Sequence, residues 1–189
     1  MKEEEITQLS KFLSYVLRHK PESIGIALDP EGWASVDSII AGAAKSGRVV
    51  TRDMVGRVVA SNDKKRFAFS PDGQSIRAVQ GHSTTEVAIR FEERVPPAHL
   101  YHGTATRFLP SIREQGLVAG NRHHVHLSAD IQVAVSVGAR HGKPVVLTID
   151  AAAMHANGNK FHLSENGVWL TACVPPAYLS EPSSHSEAG

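Results

Sequence analysis

Hydrophobic positions near the start of the chain recur every three to four residues, the spacing of a helix with one buried face. These positions are Ile6, Leu9, Phe12, Leu13, Val16 and Leu17. Pro21 follows where the pattern stops, because proline cannot continue a helix. The same spacing predicts a second helix after Ser35 and a third after Thr51, whose hydroxyl can cap a helix N-terminus.

After the third helix the pattern changes to short apolar runs typical of strands. Residues 66–69 and 76–79 flank the segment 70–73, Ser-Pro-Asp-Gly, which favours a tight turn. This arrangement predicts a β-hairpin. Three helices and a hairpin, with basic residues on the third helix and the first strand, predict a winged-helix lobe.

The second half of the chain has a different pattern, beginning after a predicted linker at residues 82–97 that ends in two prolines. Short apolar strands are predicted at residues 100–101, 125–127, 145–149 and 168–171. Helices are predicted around residues 108–115 and 131–140. This alternation indicates a mixed α+β lobe with a compact sheet. The tail from residue 180 is rich in Ser and Glu, and we predict that it is disordered.

Composition narrows the class of protein. The single cysteine, Cys173, cannot form an internal disulfide, which favours a reducing compartment. The acidic residues 1–5 do not resemble a signal peptide, and no apolar run approaches the ~20 residues that a membrane helix needs. We therefore predict a cytoplasmic protein that does not associate with a membrane.

Charge is unevenly distributed, although the net charge is only +1. Residues 45–77 contain eight Lys or Arg against three Asp, whereas ten of the eleven histidines lie after residue 81. The two halves therefore differ in chemistry, and the first has the local basic excess that a nucleic-acid partner requires.

Two basic clusters lie in the first half, Arg18-His19-Lys20 and Lys64-Lys65-Arg66. Each has an ordinary explanation: cations stabilise a helix C-terminus, and a basic strand edge resists unwanted pairing. Both clusters could instead bind one phosphate, because arginine offers a planar fork of hydrogen-bond donors. Local spacing alone leaves these alternatives open.

Candidate nucleotide-binding residues lie in the second half. Residues 100–104 read Leu-Tyr-His-Gly-Thr, a strand that ends in a small turn. Gly103 would let a planar amide approach the backbone, and His102 could hold a ribose hydroxyl. A plain strand-end turn with a surface histidine explains the same residues. The glycine-rich dinucleotide fingerprint and the P-loop are both absent, so a nucleotide must be bound in another way.

The densest polar cluster is residues 122–128, Arg-His-His-Val-His-Leu-Ser. His124 and His126 fall on one face of a strand, a spacing that can bind zinc. Because no Cys, Asp or Glu completes the set, we predict no metal site. Trp169, on the strand after Gly167, is predicted to be core or pocket wall rather than a stacking platform.

Seven sequence blocks, taken in order and with their spacing, closely resemble the RNA 2′-phosphotransferase (KptA) family over residues 8–180. The blocks are Leu9-Ser10-Lys11-Phe12-Leu13-Ser14, Leu17-Arg18-His19-Lys20-Pro21, Lys64-Lys65-Arg66-Phe67, Ile76-Arg77-Ala78-Val79-Gln80-Gly81-His82-Ser83, Leu100-Tyr101-His102-Gly103-Thr104, His124-Val125-His126-Leu127-Ser128 and Gly167-Val168-Trp169-Leu170-Thr171. Each block alone is weak, but the series is specific, and it favours the functional interpretations above.

The resemblance implies an α+β protein with a winged-helix RNA-binding lobe at residues 1–90. An ADP-ribosyltransferase-like lobe that binds NAD⁺ follows at residues 91–180, and a disordered tail at 181–189. The partners implied are RNA carrying a 2′-phosphate and NAD⁺ as co-substrate, with no metal, and the protein is expected to be a monomer. In the family's reaction the 2′-phosphate attacks the nicotinamide ribose and nicotinamide leaves. The ribose 2″-hydroxyl then attacks that phosphate, giving 2′-hydroxyl RNA and ADP-ribose 1″,2″-cyclic phosphate.

The resemblance also assigns residues to roles. The catalytic set is Arg18, His19, Arg66 and Arg122. The RNA phosphate-binding set is Lys20, Lys64 and Lys65. The NAD⁺-binding set is His102, Gly103, Thr104, His126, Leu127, Ser128 and Val168. Protein-modifying relatives of this fold commonly carry a glutamate where Val168 stands, whereas a phosphate dianion needs no general base. Val168 therefore argues for a phosphate acceptor.

Two other functions remain open at this point. A winged-helix DNA-binding regulator with a ligand-sensing second lobe would explain the basic stretch, but it leaves Arg122, His126 and the 102–104 turn without a role. A transferase that ADP-ribosylates terminal phosphates of nucleic acid would use the same residues as the 2′-phosphotransferase.

Overall fold

The chain divides into two compact units, Met1–Arg90 and Phe91–Gly189. The structure is a computed structural model that describes residues 2–61 and 65–182. Over these residues it contains six α-helices and several small antiparallel sheets, which confirms the predicted α+β class. Within the same described ranges, no helix is long and apolar enough to cross a membrane.

The first unit consists of three helices and a small sheet. In chain order its elements are α1 (Glu3–Arg18), β1 (Ala34–Ser35), α2 (Val36–Lys45), α3 (Arg52–Ala60), β2 (Phe67–Phe69) and β3 (Ser75–Ala78). A 3₁₀ turn at Pro21–Ile24 follows α1, so the predicted stop of the first helix is confirmed.

Helix caps and one buried stripe explain these three helices. The hydroxyl of Ser35 accepts a hydrogen bond from the Ser38 N–H, and that of Thr51 accepts one from the Met54 N–H, as N-caps do. The buried residues of α1 are Leu9, Leu13, Val16 and Leu17. They belong to one core with apolar residues of α2, α3 and the sheet.

The sheet of the first unit has the strand order β1-β3-β2. In the predicted hairpin, Phe67 lies opposite Ala78 and Phe69 opposite Ile76. The turn between the strands is held by Ser70, whose hydroxyl donates to the carboxylate of Asp72. The two-residue strand β1 was not predicted.

Residues 82–97 do not form the simple linker that the sequence indicates. His82 and Val87 are buried, and the Ala88 N–H donates to the Pro30 carbonyl, so this segment packs within the first unit. Its later part forms the short strand β4 (Glu92–Glu93) of the second unit. The prediction was wrong because polar composition does not reveal that a segment is held by tertiary contacts.

The second unit begins with β4 and is built from short strands. Its other elements are β5 (His99–Ala105), α4 (Leu109–Gln115), β6 (Leu117–Val118), β7 (Val125–Leu127), α5 (Ile131–Gly138), β8 (Pro144–Asp150), α6 (Ala151–Ala156), β9 (His162–Leu163), β10 (Trp169–Thr171), β11 (Cys173–Val174) and β12 (Leu179–Ser180). The strands and helices predicted from the sequence are all present, most of them with shifted ends, and β7 has the predicted bounds. The additional elements are β4, β6, α6, β9, β11 and β12.

Three antiparallel sheets organise this unit, with strand orders β4-β9-β10-β7, β12-β8-β5 and β11-β6. The first two sheets meet where Tyr101 of β5 and Ser128, after β7, exchange backbone hydrogen bonds of 2.8 and 2.9 Å. Trp169 is buried in the core with Val125, Leu127 and Phe161. The prediction that Trp169 is part of the core is therefore confirmed.

Helix α5 lies directly on β5 because two glycines allow it. A Cβ atom on Gly103 would stand 1.7 Å from the Ala134 carbonyl oxygen, and one on Gly138 would stand 2.6 Å from the Thr104 carbonyl oxygen. Both distances are shorter than any real contact. The helix and the strand can therefore pack at this separation only without these side chains.

Candidate active site

Arg18 and His19 lie at the C-terminal end of α1, next to the segment that follows β3. The Ser83 N–H donates to the Arg18 carbonyl oxygen at 2.9 Å, and the Ser83 hydroxyl lies 2.9 Å from His19 Nδ1. Gly81 has a φ of +88°, and a Cβ there would be in ordinary contact with the Arg18 guanidinium, 3.7 Å from its nearest atoms. The segment 81–83 therefore packs along both residues.

Arg66 is tied to the same segment. It directly precedes β2, and its carbonyl oxygen accepts a hydrogen bond from the Val79 N–H at 3.0 Å. Residues 79–83 thus contact Arg18, His19 and Arg66, three of the four predicted catalytic residues. The hairpin thus ties the backbone of Arg66 to the same short segment that contacts Arg18 and His19, although the three residues are far apart in sequence.

The predicted RNA-binding lysines lie near these residues along the chain. Lys20 is exposed and forms an ion pair with Glu22 at 3.4 Å, a kind of surface contact that contributes little to stability. Lys65 is exposed and has a φ of +41°, in the left-handed region. Lys64 lies outside the described residues, so its role stays a prediction.

His102 projects from β5 toward the neighbouring strand β7. Its Nδ1 lies 3.1 Å from the backbone carbonyl oxygen of His126. A carbonyl oxygen only accepts, so Nδ1 carries the hydrogen and Nε2 is left as an acceptor. Burial lowers the pKa of His102, the bond to the carbonyl opposes this, and nearby His141 lowers the pKa further. The imidazole is therefore held neutral with an acceptor nitrogen, which suits a ribose hydroxyl.

Gly103 has a structural role that the sequence did not indicate. The space beside its Cα is taken by the Ala134 carbonyl of α5, not by room for a ligand. The backbone N–H and C=O groups of Gly103 point in a different direction from an added Cβ. Because N–H and C=O directions alternate along a strand, those of Gly103 point to the same edge as those of Tyr101, which bond Ser128. Because the Tyr101–Ser128 bridge is antiparallel, Gly103 lies toward the residues before Ser128, and these form β7, which pairs with β10 instead of β5. A planar amide could therefore bind the Gly103 backbone there.

The other predicted NAD⁺-binding residues divide into side-chain and backbone candidates. Thr104 and Leu127 are buried, and Leu127 belongs to the core, so only its backbone could contact a ligand. The Ser128 hydroxyl accepts from the Asp130 N–H at 3.0 Å and thereby orders the turn into α5. Val168 is half-buried and exchanges hydrogen bonds with Ser164 across the Gly167 turn.

His126 and His162 lie on one face of the four-stranded sheet. His126 lies opposite Leu170, Leu170 opposite His162, and His162 opposite Glu93, and directly paired residues point to one face. Val168 stands two residues before Leu170, and side chains at that spacing along a strand point to the same face. Arg122 reaches this face through a long contact of 3.5 Å between its Nη1 and His126 Nδ1.

His124 and His162 form an aromatic cluster on that face with Phe91. The His124 ring lies 5.8 Å from the Phe91 ring and 6.0 Å from the His162 ring, measured between centroids. Burial lowers the pKa of His124, and the neighbouring His162 and His123 lower it further. Sequence reasoning missed Phe91 and His162, because only the strand register brings them beside His124.

No group of three or more His, Cys, Asp or Glu that could hold a metal is found where the structure describes the chain. His124 and His126 have the spacing of zinc ligands, but they belong to no such group among residues 2–61 and 65–182. The predicted absence of a metal requirement remains a prediction, which chelation would test.

Comparison with known proteins identifies the family. Residues 4–173 match the profile of the family described as RNA 2′-phosphotransferase, Tpt1 / KptA family. A protein of Pseudomonas aeruginosa (strain UCBPP-PA14), named "Probable RNA 2′-phosphotransferase", is 63% identical over 172 residues, which are 91% of this chain and 94% of that protein. A protein of the same name from Shigella boydii serotype 18 is 59% identical over 177 residues, 94% of this chain and 96% of that protein. The chain therefore belongs to the RNA 2′-phosphotransferase, Tpt1 / KptA family.

Proposed function

We propose that this protein is an NAD⁺-dependent RNA 2′-phosphotransferase. Given its family, the observation that carries the proposal is the anchoring of Arg18, His19 and Arg66 on the single segment 79–83. Two guanidinium groups and one imidazole can together bind a phosphate and move a proton.

The first unit is proposed to be a winged-helix lobe that binds RNA. Support comes from the order of its elements, three helices followed by the hairpin β2–β3, with β1 completing a three-stranded sheet. The segment 45–77, which has the basic excess, runs from the end of α2 through α3 to β3. Phosphate contacts from Lys20, Lys64 and Lys65 would position the RNA without reading its sequence.

The second unit is proposed to be an ADP-ribosyltransferase-like lobe that binds NAD⁺. NAD⁺ supplies an ADP-ribose group whose bond to nicotinamide is readily broken. His102 fits this ligand because its neutral Nε2 can accept from a ribose hydroxyl. The backbone N–H and C=O of Gly103 suit the nicotinamide amide. The sheet face that carries His126 and Val168 would form the adjoining wall of the pocket.

The first step proposed is substitution at the ribose carbon that carries nicotinamide. A bond forms between an RNA 2′-phosphate oxygen and that carbon, and the bond to the nicotinamide nitrogen breaks. The phosphate dianion is already nucleophilic, so the protein has to position it rather than deprotonate it. Val168, which cannot act as a base, is compatible with this step.

The second step proposed is transesterification at phosphorus. The ribose 2″-hydroxyl gives its proton to water as its oxygen bonds to phosphorus, the bond from phosphorus to the RNA 2′-oxygen breaks, and that oxygen takes up a proton. Charge grows on the phosphate oxygens, where Arg18, Arg66 and Arg122 are assigned to stabilise it. His19 is assigned as the proton carrier.

The proposal is tested by mixing the full-length protein with NAD⁺ and an oligonucleotide that carries one internal 2′-phosphate. We expect 2′-hydroxyl RNA, nicotinamide and ADP-ribose 1″,2″-cyclic phosphate in equal amounts. The matched control is the same oligonucleotide with a 2′-hydroxyl, which should release no nicotinamide. Inorganic phosphate released without NAD⁺, or no nicotinamide from the phosphorylated RNA, would refute the proposal.

A further inference from the structure

Ser83 makes three contacts with the end of α1. Its N–H donates to the Arg18 carbonyl oxygen at 2.9 Å, its Oγ lies 2.9 Å from His19 Nδ1, and the same Oγ lies 3.4 Å from the Arg18 carbonyl oxygen. The two partners are 64 and 65 positions away in the sequence. One residue therefore connects both members of the Arg18-His19 pair to the segment after β3.

The fold determines where the Ser83 hydroxyl stands. The last carbonyls of a helix have no partner within it, and the Ser83 N–H satisfies the one at Arg18. This backbone bond fixes the Cα of Ser83 next to the helix end. Gly81, with its φ of +88°, turns the chain two residues earlier and keeps close to the Arg18 side chain. The hydroxyl is consequently held beside the imidazole by main-chain contacts.

The hydrogen-bonding capacity of the hydroxyl favours one arrangement of protons. A serine hydroxyl has one hydrogen and two lone pairs. When its hydrogen points to the Arg18 carbonyl oxygen, its oxygen can only accept from His19 Nδ1. The same bond then persists whether the imidazole is neutral or protonated, because Nδ1 carries a hydrogen in both states.

We propose that Ser83 is a positioning residue that holds His19 with the hydrogen on Nδ1, so that Nε2 is the nitrogen that exchanges a proton during the reaction. The kinetic consequence rests on the function proposed above, whereas the tautomer does not. In the second step, Nε2–H of the protonated imidazole gives its proton to the departing RNA 2′-oxygen. The imidazole becomes neutral and keeps its Nδ1–H on Ser83.

The tautomer is measurable without any substrate. In the full-length protein with ¹⁵N-labelled histidine, two-bond ¹H–¹⁵N correlations distinguish a protonated from an unprotonated ring nitrogen. The His19→Gln variant identifies the His19 signals by their absence. Above pH 7.5 we expect His19 to show a protonated Nδ1 and an unprotonated Nε2. In Ser83→Ala we expect the two ¹⁵N shifts to move toward each other, as they do when both tautomers are populated.

The kinetic test uses variants that keep or remove the hydroxyl. Positioned proton transfer contributes ~10²–10⁴-fold to a rate, so losing only the support of Ser83 should slow single-turnover formation of 2′-hydroxyl RNA by about tenfold. The KM for NAD⁺ should not change. Ser83→Thr retains the hydroxyl and should recover most of the rate. Ser46→Ala is the matched control, because the Ser46 hydroxyl also bonds a carbonyl at a helix end, that of Ala43, at 2.8 Å, without a histidine.

The outcomes separate this inference from the proposed function. A hydrogen on Nε2 of His19 in the wild-type protein, or an unchanged tautomer in Ser83→Ala, overturns the inference whatever the activity. Equal rates for wild type and Ser83→Ala would overturn its kinetic part. If Ser83→Thr is as slow as Ser83→Ala, the hydroxyl is not what matters. If the wild-type protein consumes no NAD⁺, the proposed function fails, and the correlation spectra still decide the role of Ser83.

Discussion

His102 Nδ1 lies 3.1 Å from the backbone carbonyl oxygen of His126, so the two strands β5 and β7 share a side-chain contact as well as the backbone bonds of Tyr101 and Ser128. The carbonyl fixes which nitrogen of His102 carries the hydrogen. This contact is compatible with a neutral ring, and burial lowers the pKa of His102 below the usual value for histidine. The pocket proposed for NAD⁺ therefore depends on a histidine that resists protonation.

We predict that stability decreases in mild acid because of this histidine. With a lowered pKa in the folded state, the unfolded chain takes up the proton first as the pH falls below ~6.5. The stability associated with the neutral ring is fully present above that pH, and it is lost as the pH falls toward the folded-state pKa. His102→Gln should make the free energy of unfolding depend less steeply on pH between 7.5 and 5. Urea unfolding over this range would measure it, and equal slopes for variant and wild type would contradict the prediction.

Gly103 is predicted to be required by the fold before any ligand binds. In Gly103→Ala the new methyl would overlap the Ala134 carbonyl, and overpacking of this kind costs ~1–3 kcal/mol. Gly56→Ala is the matched control: this helical glycine has no atom within 4 Å of an added Cβ, and removing it should stabilise α3 by ~0.5–1 kcal/mol.

A lower thermal unfolding temperature for Gly103→Ala and a higher one for Gly56→Ala would confirm the contrast between the two glycines. A Gly103→Ala protein as stable as wild type would show that α5 can move away from β5. Because activity lost in a Gly103 variant would report on folding, substitutions of His102 are the better test of the NAD⁺ pocket.

Local signals in the sequence identify much of this fold. Apolar residues at helical spacing, such as Leu9, Leu13 and Val16 in the first helix, together with the cap at Thr51 are enough to predict the three helices of the first unit. Strands of two residues, such as β1 and β9, are too short to show an alternation of side chains. They form because a longer neighbour, β3 or β10, offers an edge to pair with.

The candidate site was predictable in its parts but not in its contacts. The family blocks include His19 and Ser83, yet nothing in their spacing indicates a bond between residues 64 positions apart. His162 was missed for the same reason, because it joins the row of His126 only through the register of β10 with its two neighbours. Long-range pairing of this kind is a property of the packed chain.

RNA binding is predicted to depend strongly on salt. If phosphate contacts dominate, each neutralised phosphate of a single strand contributes about −0.7 to the slope of log K against log salt concentration. Lys65→Ala should make that slope less steep by about the contribution of one phosphate contact. It should weaken binding to all RNA sequences equally. Lys143→Ala, an exposed lysine of the second unit, is the control and should leave the slope unchanged. A salt-independent affinity would refute a phosphate-dominated interface.

Activity is predicted to survive metal removal. No third ligand of the required type accompanies His124 and His126 in the part of the chain that the structure describes. Turnover after dialysis against EDTA should match that of untreated protein. Loss of activity that zinc restores would instead assign these histidines to a metal.

The last prediction concerns the division of the two proposed steps. Arg66 directly precedes β2, in the unit proposed to bind RNA, and is assigned to the phosphate rather than to the nicotinamide. In the second step charge grows on the phosphate oxygens, and loss of one donor there reduces the rate by ~10²–10³. The first step depends on positioning, to which several groups contribute. Arg66→Ala should therefore slow the second step more than the first.

The expected result is accumulation of RNA joined through its 2′-phosphate to ADP-ribose. Lys64→Ala should have the same effect in milder form, and Arg122→Ala should slow both steps. Arg113→Ala is the matched control, because the exposed Arg113 guanidinium pairs with Glu181, 2.6 Å away, and should not affect either step. A gel that follows radiolabelled 2′-phosphorylated RNA during a single turnover would resolve the slower-moving species. If Arg66→Ala abolished turnover without that species at any time, Arg66 would be needed in the first step, and its assignment to the second would be wrong.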